Sequence, residues 1–300
     1  MVWALLLLIA FPARASEGPW TTSPGLHNVF LGLMGERFRC FEADGRSSST
    51  CDSGLPTSAP VAQVGAKIFY RTGLNAKTDV AIGVPIIHAF ATEATTSTLY
   101  QSTTGLGLVE GRVRRRLGRL GDLAIAAGAG VRTGALHHST RGRVTNLGEG
   151  TTDLTGTLYM GGTGLLLRRF HTSSVDLSYA YRLPQEVDTP VGRIPGDEIH
   201  ATAVSILAVS SKLGLGLSAD GSWRLWGEQL ETSRLNVYGD DRWAALAAAQ
   251  VKLGGRVVIY PGERAPYLQF SGMRAVWARN NPMDTTQVEI AMGMDLGRRQ

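Results

Sequence analysis

The chain has 300 residues, a formal net charge of +5, 18% charged residues and a mean hydropathy of -0.01. Near-neutral hydropathy excludes a bundle of membrane-crossing helices. The low charge content departs from that of a soluble domain, and ordinary proline usage excludes collagen-like or disordered chains. The sequence pI near 9.4 does not indicate a nucleic-acid partner, because the basic residues are dispersed and form no cluster on one element.

The first residues, Met1 to Ser16, hold the longest apolar run, centred on Leu5 to Ala10 and ending at Ala13-Arg14-Ala15. The run is too short to span a bilayer and meets an A-x-A-like site, so 1–15 is expected to be a secretory signal peptide cut after Ala15. Its start, Met1-Val2-Trp3, carries no Lys or Arg, and no cysteine lies near the cut to receive a lipid. Residues 16–26 are then expected to form a short periplasmic segment. Cys40 and Cys51 are the only two cysteines, and in an exported chain such a neighbouring pair is expected to form one local disulfide. The intervening Phe41 to Thr50 contains no histidine, so no metal site is expected.

From His27 onward the chain alternates apolar and polar residues. Val61 to Thr72 sets Ala62, Val64, Ala66, Ile68 and Tyr70 against Gln63, Gly65, Lys67 and Arg71. Similar strands are expected over Lys77 to Ala89, Gly121 to Ala135, Ser174 to Leu183, Leu213 to Leu225 and Thr286 to Leu296. The last places Val288, Ile290, Met292, Met294 and Leu296 on one face. Weaker segments are His27 to Cys40, Leu106 to Leu117, Leu154 to Arg168, Ile199 to Ser211, Arg242 to Tyr260 and Tyr267 to Arg279. Short links at Gly73 to Ala76, Gly118 to Leu120, Arg169 to Ser173, Ser211-Lys212 and Pro261 to Ala265 alternate with long polar links. This pattern predicts an all-β fold, a transmembrane antiparallel up-and-down β-barrel of about twelve strands over 27–297.

The setting implied is the outer membrane of a Gram-negative bacterium, with both chain ends on the periplasmic side. A soluble β-sandwich would also alternate. Against it stand mid-strand charges on the polar faces, aromatic residues near strand ends (Tyr70, Tyr181, Trp223, Trp243, Tyr260 and Trp277), and the many edges that closure removes.

The stretch Phe69-Tyr70-Arg71-Thr72-Gly73-Leu74-Asn75-Ala76-Lys77-Thr78-Asp79-Val80-Ala81-Ile82-Gly83-Val84-Pro85 resembles a hairpin of the transporters grouped as MetA-pathway of phenol degradation proteins. These are loosely akin to fatty acid and aromatic hydrocarbon channels. The shared features are an aromatic strand end, a Gly-Leu turn, a charged pair and an apolar strand closing on Gly-x-x-x-Pro. The C-terminal Leu296 to Gln300 departs from the terminal aromatic of many barrel assembly signals. The resemblance implies a passive route for small, often hydrophobic molecules, with no catalytic residue.

The polar faces carry the functional candidates. Glu110, Arg112, Arg114 and Arg116 fall at alternate positions, a ladder suited to an anion-selective pore. Lys67, Arg71, Arg132, Arg182, Arg224 and Lys252 add positive charge, and Asp79, Asp176, Asp220 and Glu289 negative charge, giving a positive balance among the expected pore-lining residues. The same charges would rigidify a narrow or plugged lumen if they paired across it. The expected function is an outer-membrane channel for passive uptake of small, hydrophobic or anionic solutes, without a cofactor. Its expected partners are the solute, outer-membrane lipid and lipopolysaccharide, and the barrel-assembly machinery.

Two alternatives are kept open, a structural or adhesive barrel and a lipid hydrolase. For the latter, His137 and Ser139 have the His-x-Ser spacing that places both on one strand face, as in outer-membrane phospholipases and lipid A deacylases. Thr140 stands where those families have Asn, which leaves the base without its orienting third group unless Asn146 on the following loop reaches back. No G-x-S-x-G, H-E-x-x-H or phosphate-binding loop occurs.

Overall fold

The computed structural model describes residues 18–38, 61–92, 100–134, 152–183, 193–194, 196–225, 229–230, 249–262, 265–279 and 285–297. Its strands in chain order are β1 (His27–Phe38), β2 (Val61–Asn75), β3 (Thr78–Thr92), β4 (Tyr100–Leu106), β5 (Val109–Leu120), β6 (Leu123–Thr133), β7 (Thr152–Leu166) and β8 (Arg169–Arg182). They continue with β9 (Arg193–Ile194), β10 (Glu198–Ala208), β11 (Leu213–Arg224), β12 (Gln229–Leu230), β13 (Ala249–Ile259), β14 (Tyr267–Arg279) and β15 (Thr286–Leu296). β9 and β12 pair only with each other. All the others join one antiparallel sheet that β1 closes by pairing with both β2 and β15.

β4 and β5 both pair with β3 and occupy a single place in the wall, so the barrel has 12 wall strands, as expected from the alternation. The break between them has a local cause. Pro85, in the middle of β3, has no N–H to donate to the ladder, and the chain opposite leaves strand geometry at Gly107 and Leu108. One bond crosses the break, from the Gly107 amide to the Pro85 carbonyl at 2.9 Å.

Short connections at 76–77, 121–122, 167–168, 209–212 and 260–266 share one end of the barrel with the start of β1 and the end of β15. The long connections share the other. We call these the turn end and the loop end. The expected strand over 106–117 is displaced to Val109–Leu120, and the one expected from Arg242 begins at Ala249, since 242–248 lie outside the described residues.

Side-chain parity follows the sequence along most strands. Leu31 and Leu33, Val64 and Ile68, Ile82 and Ile86, Val175 and Leu177, Leu215 and Leu217, and Val288 and Ile290 are exposed on the outer face. The inner face is largely polar, interspersed with buried alanines and Phe69, and carries one apolar cluster of Val204, Ile206, Val258 and Tyr267, against which Phe30 and Tyr260 pack. Tyr260 thus points inward, away from the expected outer aromatic belt.

A bulge corrects parity on β14. Lys252 pairs with Ala275, but the adjacent Val251 pairs with Trp277, so Val276 is the extra residue. Val276 and Trp277 are both exposed on the outer face, and Ala275 and Ala278 are buried.

Candidate functional site in the barrel lumen

The candidate site grows from the inner rows of β2, β3, β5, β7 and β8. Arg114 on β5 and Asp79 on β3 are register partners. They form an ion pair at 2.6 Å with each side chain only 2% exposed. The remaining Arg114 donors reach the Gly18 carbonyl at 2.6 Å and the Trp20 carbonyl at 2.7 Å. Asp79 in turn accepts the Thr22 amide at 2.8 Å. Burying such a pair is tolerable because backbone groups satisfy the donors and acceptors left over.

Residues 18–26, within the stretch 16–26 expected as a short periplasmic segment, are therefore placed inside the turn end of the barrel. Pro24 makes a parallel bridge to Gly73, and the Gly73 amide donates to the Leu26 carbonyl at 3.4 Å. Two glycines permit the approach. A Cβ on Gly73 would stand 2.3 Å from the Thr22 carbonyl oxygen, and one on Gly161 would stand 2.9 Å from Pro19 Cδ. Residues 16 and 17 lie outside the described part of the chain.

Beside this segment is an internal chamber of about 330 Å³, lined among others by Lys67, Glu110, Arg112, Arg132, Tyr159, Asp176, Ser178, Glu198 and His200. The cations stand on aromatic supports. Phe69, inward on β2, has Lys67, Arg71 and Arg112 at 5.7, 5.3 and 5.0 Å from its ring centre, and Arg114 is 5.3 Å from that of Tyr159.

Pairing dominates the charges. Lys67 contacts Glu110 at 2.7 Å, Arg132 contacts Asp153 at 2.8 Å, and Arg182 meets Glu198. His200 Nε2 is 2.9 Å from Asp220, which also accepts the Thr202 hydroxyl at 3.2 Å. Lys252 is 3.4 Å from Glu36 across the seam.

The sequence candidates therefore divide by role. Lys67, Glu110, Arg112, Arg132 and Asp176 line the chamber. Arg114 and Asp79 hold the N-terminal segment, while Arg116, opposite the buried Ala126, is exposed near the turn end. Arg71 and Arg182 are buried in the wall. Asp220, Lys252 and Glu289 engage inner-face neighbours, and Arg224 lies opposite Glu198. His137, Ser139, Cys40 and Cys51 fall outside the described residues. Among the described residues, no group of three or more His, Cys, Asp or Glu is arranged to hold a metal ion.

Phe69, Tyr159 and the 18–22 segment were missed in the sequence. Their signal was an aromatic residue on an otherwise polar row, and the apolar Pro19-Trp20 just after the expected cut. A second His-x-Ser, His171 and Ser173, was also passed over and lies on the outer face of β8.

No family model matches the chain, and no curated protein matches it in sequence. Solved structures do. The COG4313 outer membrane channel from Pseudomonas putida F1 superposes with a TM-score of 0.69 at 10% identity, over 95% of this chain and 99% of that one. The translocator domain of the autotransporter NalP from Neisseria meningitidis gives 0.47 at 13% identity over 98% and 96%, and the monoaromatic hydrocarbon channel CymD gives 0.42 at 8% over 93% and 90%. At 10% identity the likeness to the Pseudomonas channel is one of fold, a closed antiparallel β-barrel of the same span.

Proposed function

We propose that this chain is an outer-membrane channel for passive uptake of small solutes, hydrophobic or anionic, exported by its signal peptide and inserted with the turn end toward the periplasm. The observation that carries this reading is the polar chamber inside a barrel whose outer wall is largely apolar. An apolar belt suits hydrocarbon, and a charged, hydroxyl-lined interior suits water and a solute. The likeness to the Pseudomonas channel supports the reading at the level of fold.

In this reading residues 18–26 set the resting conductance. They occupy the turn-end side of the lumen and are held by charge-assisted hydrogen bonds rather than by ladder pairing across their length. The ladder then acts in two parts. Arg112 faces solute in the chamber, and Arg114 holds the segment in place.

The test is conductance of the refolded chain in a planar bilayer, alongside a variant with Arg112→Glu, Arg114→Glu and Arg116→Glu together. Discrete steps whose size or anion preference changes in the variant support the channel. Silence from a chain shown to be inserted, in both proteins and in one lacking 18–26, rejects it.

A further inference from the structure

The outer face of a membrane barrel is expected to be apolar, and on β8 it is so over Val175, Leu177, Tyr179 and Tyr181. Two positions nearer the turn end break the row. His171 and Ser173 have the same outward parity, and Ser205 on β10 is the register partner of Ser173. The three form a compact polar cluster. His171 Nε2 lies 2.7 Å from Ser205 Oγ and 3.0 Å from Ser173 Oγ, and the two hydroxyls are 3.4 Å apart.

Across the β7 edge, the partners of Ser173 and His171 are Gly162 and Gly164. A Cβ on Gly164 would meet nothing within 4 Å, and one on Gly162 would meet its nearest neighbours only at 3.5 Å. The glycines therefore leave a shallow notch on the outer wall beside the polar cluster. Below it, at the turn end, Arg168, Arg169 and Lys212 are exposed. Arg169 reaches over to the Val209 carbonyl in the neighbouring turn, so cations of two adjacent turns stand side by side. Leu165, Leu166 and Leu167 are also exposed there.

We infer that this arrangement is a binding site for one glycerophospholipid of the periplasmic leaflet. Its phosphate meets Arg168, Arg169 and Lys212, its ester oxygens meet His171, Ser173 and Ser205, its glycerol backbone sits in the glycine notch at the same depth, and its acyl chains run on over Val175 and Leu177. The ordering matches the lipid from the surface inward, with cations at phosphate level, hydroxyl and imidazole groups and the glycine notch at ester level, and the apolar row of Val175 and Leu177 beside hydrocarbon. Polar side chains facing bare hydrocarbon would be costly, and a lipid headgroup supplies the acceptors and donors that hydrocarbon lacks. The proposal rests on the reading that the barrel spans the outer membrane.

The test is native mass spectrometry of the refolded, delipidated full-length mature chain in detergent, titrated with phosphatidylglycerol and, separately, with diacylglycerol. Wild type should retain one phosphatidylglycerol and no diacylglycerol. Both the His171→Leu/Ser173→Ala/Ser205→Ala variant and the Arg168→Gln/Arg169→Gln variant should lose roughly tenfold in affinity, the loss of one charge-assisted contact or more. Leu33→Ala, on the far side of the outer wall, should bind as wild type. The polar triple variant makes the outer face more apolar, and its insertion is checked by heat-modifiable migration.

Equal binding by wild type and both site variants overturns the proposal, as does diacylglycerol binding as well as phosphatidylglycerol. Release of fatty acid that stops in Ser173→Ala would show a hydrolase in place of a holding site. A chain that inserts but retains no phospholipid defeats this inference alone, whereas a chain that never enters a bilayer defeats the membrane reading beneath it.

Discussion

Arg114 shows how one side chain ties the wall to the lumen. Its partner Asp79 is equally buried, and both sit where water cannot replace a lost contact. Arg114→Leu should therefore destabilise the barrel by roughly 3–5 kcal/mol, because it leaves a buried carboxylate without its cation. The double variant Arg114→Leu/Asp79→Leu should recover most of that loss while still freeing residues 18–22. Urea unfolding gives the first quantity, and fluorescence quenching of Trp20, in a chain with the other tryptophans replaced by Phe, gives the second. Unchanged quenching in the double variant would show that packing alone seats the segment.

A different strain sits in the β7–β8 turn. Leu167 and Arg168 have φ of 52° and 60°, the pairing a two-residue hairpin demands and one that Asn-Gly adopts with less steric cost. Leu167→Asn/Arg168→Gly should raise stability by about 1–2 kcal/mol in the same unfolding assay. No change, or a loss, would mean that the exposed Leu167 contributes more through contact with lipid than its backbone costs.

At the scale of elements, the N-terminal segment and the bulges matter most. Gly161→Val puts bulk against Pro19 and Trp20 and also against the Ser173 backbone carbonyl of β8. It should raise single-channel conductance without changing the barrel's strand content, measured by planar bilayer recording and circular dichroism. A conductance equal to wild type would remove residues 18–26 from any gating role. The β14 bulge tests parity in the opposite sense. Deleting Val276 would leave Trp277 outward and Ala278 inward in plain alternation, so the yield of heat-modifiable folded protein should stay near that of wild type; a several-fold fall would show that closure needs the bend the bulge supplies.

For the whole molecule, the outer wall must meet hydrocarbon. Leu33, 63% exposed near the middle of β1, is a direct probe. Leu33→Arg should cost roughly 2–4 kcal/mol in refolding into lipid vesicles, as charged residues on a barrel's lipid face do. An effect near zero would argue that this face meets water or another protein.

Much of this architecture could be read from residue order. The period of two along Val61 to Thr72 and Thr286 to Leu296 determines which side chains share a face, since successive residues in a strand point oppositely. The spacing of short and long links determines which strands are neighbours. Those features are local, and the structure follows them closely. What residue order did not determine is what the inward charges do. Arg112 and Arg114 are equivalent in the sequence, two steps apart on one polar row. Pairing of β3 with β5 sets Asp79 beside Arg114, and only closure of the barrel brings the backbone of residues 18–22 against that pair and a chamber against Arg112. Partnership across a lumen joins residues far apart in the chain, and no local pattern encodes which charges will be neutralised. The break at Pro85 and Gly107 and the extra residue at Val276 were equally hidden, because a bulge is defined by two strands together. Local alternation thus specified the wall, and tertiary closure decided its contents.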